Sequence, residues 1–138
     1  MLGIRPTDSV SSIIGTPVAT IRPTETLRAA ANALVADTVG LLVAVDYRGV
    51  LGVLSERDLT AAIADDADLD DERVLDRASM DVVKVEESAS ILRAAQAMVA
   101  AEVRHLAVCR NDEVVGVISI RDVLMVLVEH ERLESSPV

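Results

Sequence analysis

Sliding the chain against itself by 64 residues lays Val10–Ile63 on Val74–Leu127 without a gap. Identical pairs include Val10/Val74, Val18/Val82, Ala30/Ala94, Ala31/Ala95, Ala33/Ala97, Val35/Val99, Val39/Val103 and Gly52/Gly116. The densest stretch sets Gly-Val-Leu-Ser-Glu-Arg-Asp at 52–58 against Gly-Val-Ile-Ser-Ile-Arg-Asp at 116–122. Alanine-rich helices give chance identities, but chance does not also keep turns and caps in place. The chain is one unit written twice. A length of 138 residues leaves little room for a further independent core.

Each copy reads the same way locally. Val18–Ile21 and Val82–Val85 are short β-branched runs that predict strands. A helix follows, with Leu27, Ala30, Ala31, Leu34 and Val35 at helical spacing and Ile91, Ala94, Ala95, Met98 and Val99 at the same offsets. Two strands come next, Leu41–Val45 and Val50–Leu54, joined by Asp46-Tyr47-Arg48-Gly49. In the second copy Leu106–Cys109 and Val114–Ser119 flank Arg110-Asn111-Asp112-Glu113, so both predict hairpins with four connecting residues. A second helix starts near Glu56 or Ile120. The unit is β-α-β-β-α, an α+β fold. It cannot bury its apolar sheet face alone, so two copies should pack about a pseudo-twofold axis and leave two related clefts where they meet.

The expected organisation is a first repeat over 8–65, an acidic linker over 66–73, a second repeat over 74–130 and a flexible tail over 131–138. Six of the eight residues from Asp65 to Glu72 are acidic. They lack the glycine and alternating ligands of a calcium loop, so a solvated linker is expected and no metal site. A helix from about Asp71 to Ala78 should lead into the second copy.

Composition excludes several classes. A net charge of −10 opposes nucleic-acid backbones and anionic membrane surfaces. No apolar run approaches the ~18 residues of a membrane span, and no signal-peptide pattern opens the chain, so a cytoplasmic location is expected. Cys109, the lone cysteine, reads as a small buried hydrophobe. Nucleophile elbows, Walker loops and zinc-protease helices are absent from the sequence, and Ser55 and Ser119 have no neighbouring base. No catalysis is expected, and no catalytic cofactor.

The repeated Gly-h-h-Ser-x-Arg-Asp, with h apolar, has two compatible readings. Ser55 and Ser119 are N-caps, and Asp58 and Asp122 close a capping box at the positive helix end. Alternatively, the Asp carboxylate suits two vicinal ribose hydroxyls, while Arg and free backbone N–H groups suit a phosphate. Gly52 and Gly116 would let a ligand or a strand approach closely.

With these motifs the sequence resembles a tandem pair of cystathionine-beta-synthase (CBS) domains, the Bateman module, over roughly residues 8–130. The second copy, from Glu102-Val-Arg-His-Leu-Ala-Val to Asp122-Val-Leu, matches the pattern closely. The first departs from it: Val39-Gly-Leu-Leu-Val-Ala-Val lacks the frequent proline and the basic residue before the strand. The resemblance implies a regulatory module that binds an adenosine-containing ligand (AMP, ADP, ATP or S-adenosylmethionine) in a cleft between the repeats. It implies signalling in trans to an effector protein that the sequence does not identify. One cleft would use Ser119 and Asp122 for ribose, Arg121, Arg104 and His105 for phosphate, and Pro23, Thr24, Glu25, Ala30, Val39 and Gly40 around adenine. The other would use Ser55 and Asp58, with Arg57 near phosphate and Glu86, Glu87, Ser88, Ala94 and Val103 as the adenine wall. Gly40 and Leu41 stand where the second copy has Arg104 and His105, so the Asp58 cleft should be the weaker nucleotide site. The competing reading is a structural dimerisation module with degenerate clefts. Six consecutive apolar residues, Val123–Val128, exceed what one side of a helix can hide. They predict a homodimer through this helix and its counterpart, Leu59–Ile63.

Overall fold

The computed structural model describes residues 3–14, 18–37, 39–80 and 83–135. Two three-stranded sheets form, in order β1-β2-β3 and β4-β5-β6. The strands are β1 (Thr20–Ile21), β2 (Leu41–Asp46), β3 (Gly49–Ser55), β4 (Lys84–Glu86), β5 (His105–Arg110) and β6 (Glu113–Ser119). The helices are α1 (Leu27–Asp37), α2 (Glu56–Ala64), the short α3 (Val74–Arg77), α4 (Ile91–Ala101) and α5 (Ile120–Glu134), with a 3-10 turn at Val10–Ile13. In each sheet the first pair is parallel and the second antiparallel, the crossover-then-hairpin order that the repeat predicts. Of the strand expected from Val82, Val82 itself lies outside the described residues.

The chain forms two compact units, and their limits differ from those of the two sequence copies. The first unit is Val18–Val82; the second joins Met1–Pro17 to Val83–Val138. The helix expected to lead into the second copy therefore belongs to the first unit. The reason is visible in the hydrogen bonds. Val74 N donates to Glu25 O at 2.8 Å and Leu75 N to Pro23 O at 3.0 Å. In return the α1 donors Leu27 N and Arg28 N reach Glu72 O and Leu69 O, both at 3.0 Å. These bonds satisfy donors that a helix start would otherwise leave unpaired. The second unit repeats the device with the N-terminal segment. Val10 N reaches Ala89 O (2.8 Å), Ser11 N reaches Glu87 O (3.2 Å), and Ile91 N and Leu92 N reach Asp8 O and Pro6 O (both 2.9 Å). Two straps thus cap two helices. The isolated bridges Thr26↔Arg73 and Ser9↔Ser90 are also related by 64 residues.

Neither strap is a loose connector. In the first unit, the linker expected to be solvated is held by Arg28, which pairs with Asp70, and by Arg77, which bonds Asp65 and Glu72, each at 2.8 Å. Each core takes one valine from its strap: Val74 with Leu27, Leu42 and Leu54, and Val10 with Ile91, Met98, Leu106 and Ile118. Both valines are fully buried.

Two expectations need correction. The hairpin loops hold two residues, not four, because Asp46 pairs with Gly49 and Arg110 with Glu113. The copies reach that length differently: Gly49 takes φ +108°, whereas Asn111 and Asp112 take +51° and +69°, the handedness of a type I′ turn. Second, 131–134 are not tail. The last helix runs to Glu134, supported one turn apart by Arg132–Glu129 and His130–Glu134 pairs; residues 136–138 lie outside the described residues. Of the two close approaches expected at the glycine of the repeated motif, ligand or chain, the structure has chain. In the first unit Ser79 crosses β3, exchanging hydrogen bonds with Val53 at 2.8 and 3.0 Å, and a Cβ on Gly52 would lie 2.4 Å from Ser79 O. In the second unit Ile14 covers Gly116.

Candidate functional site

Antiparallel pairing places the residues that carry the candidate chemistry. In the second unit His105 pairs with Ser119 across β5 and β6, and Ile120 N donates to Arg104 O at 2.7 Å. The start of α5 therefore sits beside the start of β5. Ser119 Oγ accepts from Asp122 N at 3.2 Å, while Asp122 Oδ2 accepts from Ser119 N at 2.8 Å. This reciprocal box fixes the carboxylate at the helix N-terminus. Arg104 and Arg121 are exposed; His105, Ser119 and Asp122 are half-buried. Five of the expected site residues thus come together within one unit.

The first unit has the same frame with different charges. Leu41 pairs with Ser55, and Glu56 N donates to Gly40 O at 3.1 Å. Asp58 Oδ2 accepts from both Ser55 N (2.7 Å) and Ser55 Oγ (2.9 Å), a tighter closure than in the other copy. Arg57 is exposed, as is Glu56, which stands where the second copy has Ile120. The Asp122 end therefore gathers two arginines and a histidine around one carboxylate. The Asp58 end gathers one arginine and two carboxylates, and its Leu41 is core. The formal charge of these side chains is thus more positive at the first end than at the second.

The remaining expected residues divide. Ala30 and Ala94 are fully buried in the cores of their units, so neither offers surface to a ligand, and the expected adenine lining loses both. The same periodicity that marked them as a helix stripe explains this. Pro23 is buried, and its carbonyl, like those of Thr24 and Glu25, accepts hydrogen bonds from the strap that covers α1. The Thr24 and Glu25 side chains stay exposed, and Val39, Gly40 and Val103 are half-buried. Glu86 and Ser88 are exposed, whereas Glu87 is held bidentately by Arg110 at 2.6 and 3.0 Å. That guanidinium draws the Glu87 carboxyl below its ordinary range. Cys109 is buried, and desolvation pushes its thiol up, away from the reactive thiolate. Among the described residues no group of three His, Cys, Asp or Glu is placed to hold a metal, and no helix is long and apolar enough to cross a membrane.

Sequence reasoning missed the straps. One signal pointed to them: the identical pair Val10/Val74 lies upstream of both β-α-β-β-α units, where a plain linker would need no matching apolar residue.

The CBS domain model matches this chain twice, over residues 10–65 and 74–129. The chain belongs to the CBS-domain family. It is 32% identical over 123 residues to a 17.7 kDa protein of Acidianus ambivalens, covering 87% of this chain and 73% of that one. Among solved structures, a CBS domain protein of Pyrobaculum aerophilum complexed with AMP is 30% identical, covering 90% of this chain and 98% of that one, with TM-score 0.81. A CBS-domain protein of Agrobacterium tumefaciens is 28% identical over 92% and 97% of the two chains, with TM-score 0.82. The doubled CBS unit is the whole described fold, and each copy ends in its own Ser-x-Arg-Asp helix start.

Proposed function

We propose that this CBS pair is a non-catalytic regulatory module that binds an adenosine-containing ligand and reports its presence to a separate effector protein. One observation carries the reading: Asp122, fixed by its capping box, lies at the strand–helix junction whose neighbouring positions are Arg104, His105 and Arg121. The carboxylate takes the two ribose hydroxyls, and the two arginines with the α5 N-terminus take phosphate. The relative with AMP, 30% identical, supports the ligand class. The Asp58 end is the poorer phosphate site. A thermal-shift panel of AMP, ADP, ATP and S-adenosylmethionine tests the reading. A ligand at 100 times its Kd adds about 2.7 kcal/mol to stability. A flat response to all four at millimolar concentration overturns it.

Self-association is the second element of the proposal. On α5, Leu124, Met125, Val128 and Leu133 are between 47% and 63% exposed, and Ile63 at the end of α2 is 61% exposed. Large apolar side chains gathered on one helix favour burial against a partner. We assign this face to a homodimer. Sedimentation velocity from 1 to 100 micromolar should show a concentration-dependent shift toward twice the monomer mass, and Met125→Glu should remove it. A monomer across the whole range refutes the dimer.

A further inference from the structure

We infer that the N-terminal strap, Arg5 to Ile13, is releasable, and that the seat it occupies is a binding site for the same segment of a second copy of this chain. The seat lies within the second unit and is built from four main-chain groups and a hole. Ala89 O and Glu87 O accept from Val10 N and Ser11 N, while Ile91 N and Leu92 N donate to Asp8 O and Pro6 O. The hole takes Val10 and Ile13, 0% and 7% exposed, into a cluster with Ile91, Met98 and Val123. Recognition is therefore by four main-chain hydrogen bonds around the Ser9–Ser90 bridge and by two apolar side chains three residues apart on a 3-10 turn.

The two straps are docked alike but held differently. The internal strap carries charge-assisted bonds to α1 and around α3: Arg28 to Asp70, Arg77 to Asp65 and Glu72, and Arg73 Nη1 to Thr24 O. Among the described residues, the only ion pair of the N-terminal strap is Arg5–Asp8, which lies inside the strap. Arg5 N also donates to Asp8 Oδ2 at 2.8 Å, so the strap preserves its own turn without help from the body. With its main-chain bonds matched in the other strap and no ion pair tying it to the body among the described residues, the N-terminal strap is the one expected to open first under local fluctuation.

Nothing in such a seat distinguishes the chain's own strap from another copy's. The strap belongs to residues next to the first unit but completes a core made from residues beyond 83. Its advantage in its own chain is the effective concentration that a covalent connection gives. Exchange of an identical element between copies uses contacts the fold already contains.

Hydrogen exchange on the wild-type full chain tests release. The amides of Val10, Ser11, Ile91 and Leu92 should exchange together and at least tenfold faster than their counterparts at Val74, Leu75, Leu27 and Arg28. Equal protection of the two sets overturns release. A labelled peptide of residues 3–14 tests the seat. It should bind the full chain carrying Val10→Asp, whose own strap cannot re-enter, at least tenfold more tightly than it binds the wild type. The same peptide carrying Val10→Asp should not bind either chain. Absence of peptide binding to a folded Val10→Asp chain, judged by far-ultraviolet circular dichroism, overturns the seat. If that variant does not fold, competition decides: excess peptide should raise exchange at Val10 and Ser11 in the wild type, and no change refutes the seat.

Discussion

Gly52→Ala should destabilise the first unit by roughly 2–4 kcal/mol, an overpacking cost with the loss of adjacent backbone hydrogen bonds added. The added Cβ would lie 2.4 Å from Ser79 O, a backbone atom that cannot step aside without moving its segment. That segment exchanges two hydrogen bonds with Val53 and continues from α3, whose Val74 is fully buried. Gly116→Ala provides the contrast. Its Cβ would meet Ile14 Cγ2 at 2.6 Å, a side-chain methyl of a half-buried residue rather than a backbone atom held by two hydrogen bonds. About 1 kcal/mol is expected there, partly offset by the lower entropy of the unfolded alanine chain. Urea unfolding followed by circular dichroism measures both. Equal costs, or a tolerated Gly52→Ala, would show that Ser79 does not press on β3.

The second large effect concerns ligand response. Asp122→Ala and Asp58→Ala each break one capping box, so each should lower the stability of the free protein by a similar amount, about 1 kcal/mol. Their effects on nucleotide stabilisation should diverge. A lost bond to a charged group is worth about 1.5–3 kcal/mol, a tenfold to more than hundredfold fall in affinity. At a concentration that gives the wild type about 2.7 kcal/mol, Asp122→Ala should then gain only about 0.3–1.3 kcal/mol. Asp58→Ala should keep most of the wild-type gain, because the side chains at its end of the repeat carry the less positive formal charge. Ligand-induced shifts that fall equally in both variants would remove the asymmetry.

Much of this fold could be read from local pattern. Period and offset placed α1, α4 and both hairpins, and Ser55 and Ser119 marked the starts of α2 and α5 to the residue. These features depend on residues within a turn or two of one another. The straps depend on pairs such as Glu72 with Leu27, or Asp8 with Ile91, which no periodicity links. The hairpin loops were overestimated because polar Asp46 and Arg110 look like turn residues, although their backbones still complete the ladders. Ala30 and Ala94 were read two ways, as helix stripe and as ligand lining. Helical spacing was the stronger signal, since a small side chain facing a packed sheet has no second face to offer. The charge difference between Arg104-His105 and Gly40-Leu41 was legible in full because it is a property of aligned positions.

The division of the chain into a continuous unit and a split one has a consequence during synthesis. Val18–Val82 is continuous, and the buried cluster of this unit, Leu27 to Val74, is synthesised in full before the later part of the split unit begins. Val10 and Ile13 emerge earlier yet must wait for Val123 and Val126, which share their cluster. At roughly 5–20 residues per second, that wait is on the order of 6–20 s. Throughout it a short apolar stretch is presented to chaperones and to neighbouring nascent chains, so the order of translation, rather than the finished contacts, decides which half is vulnerable.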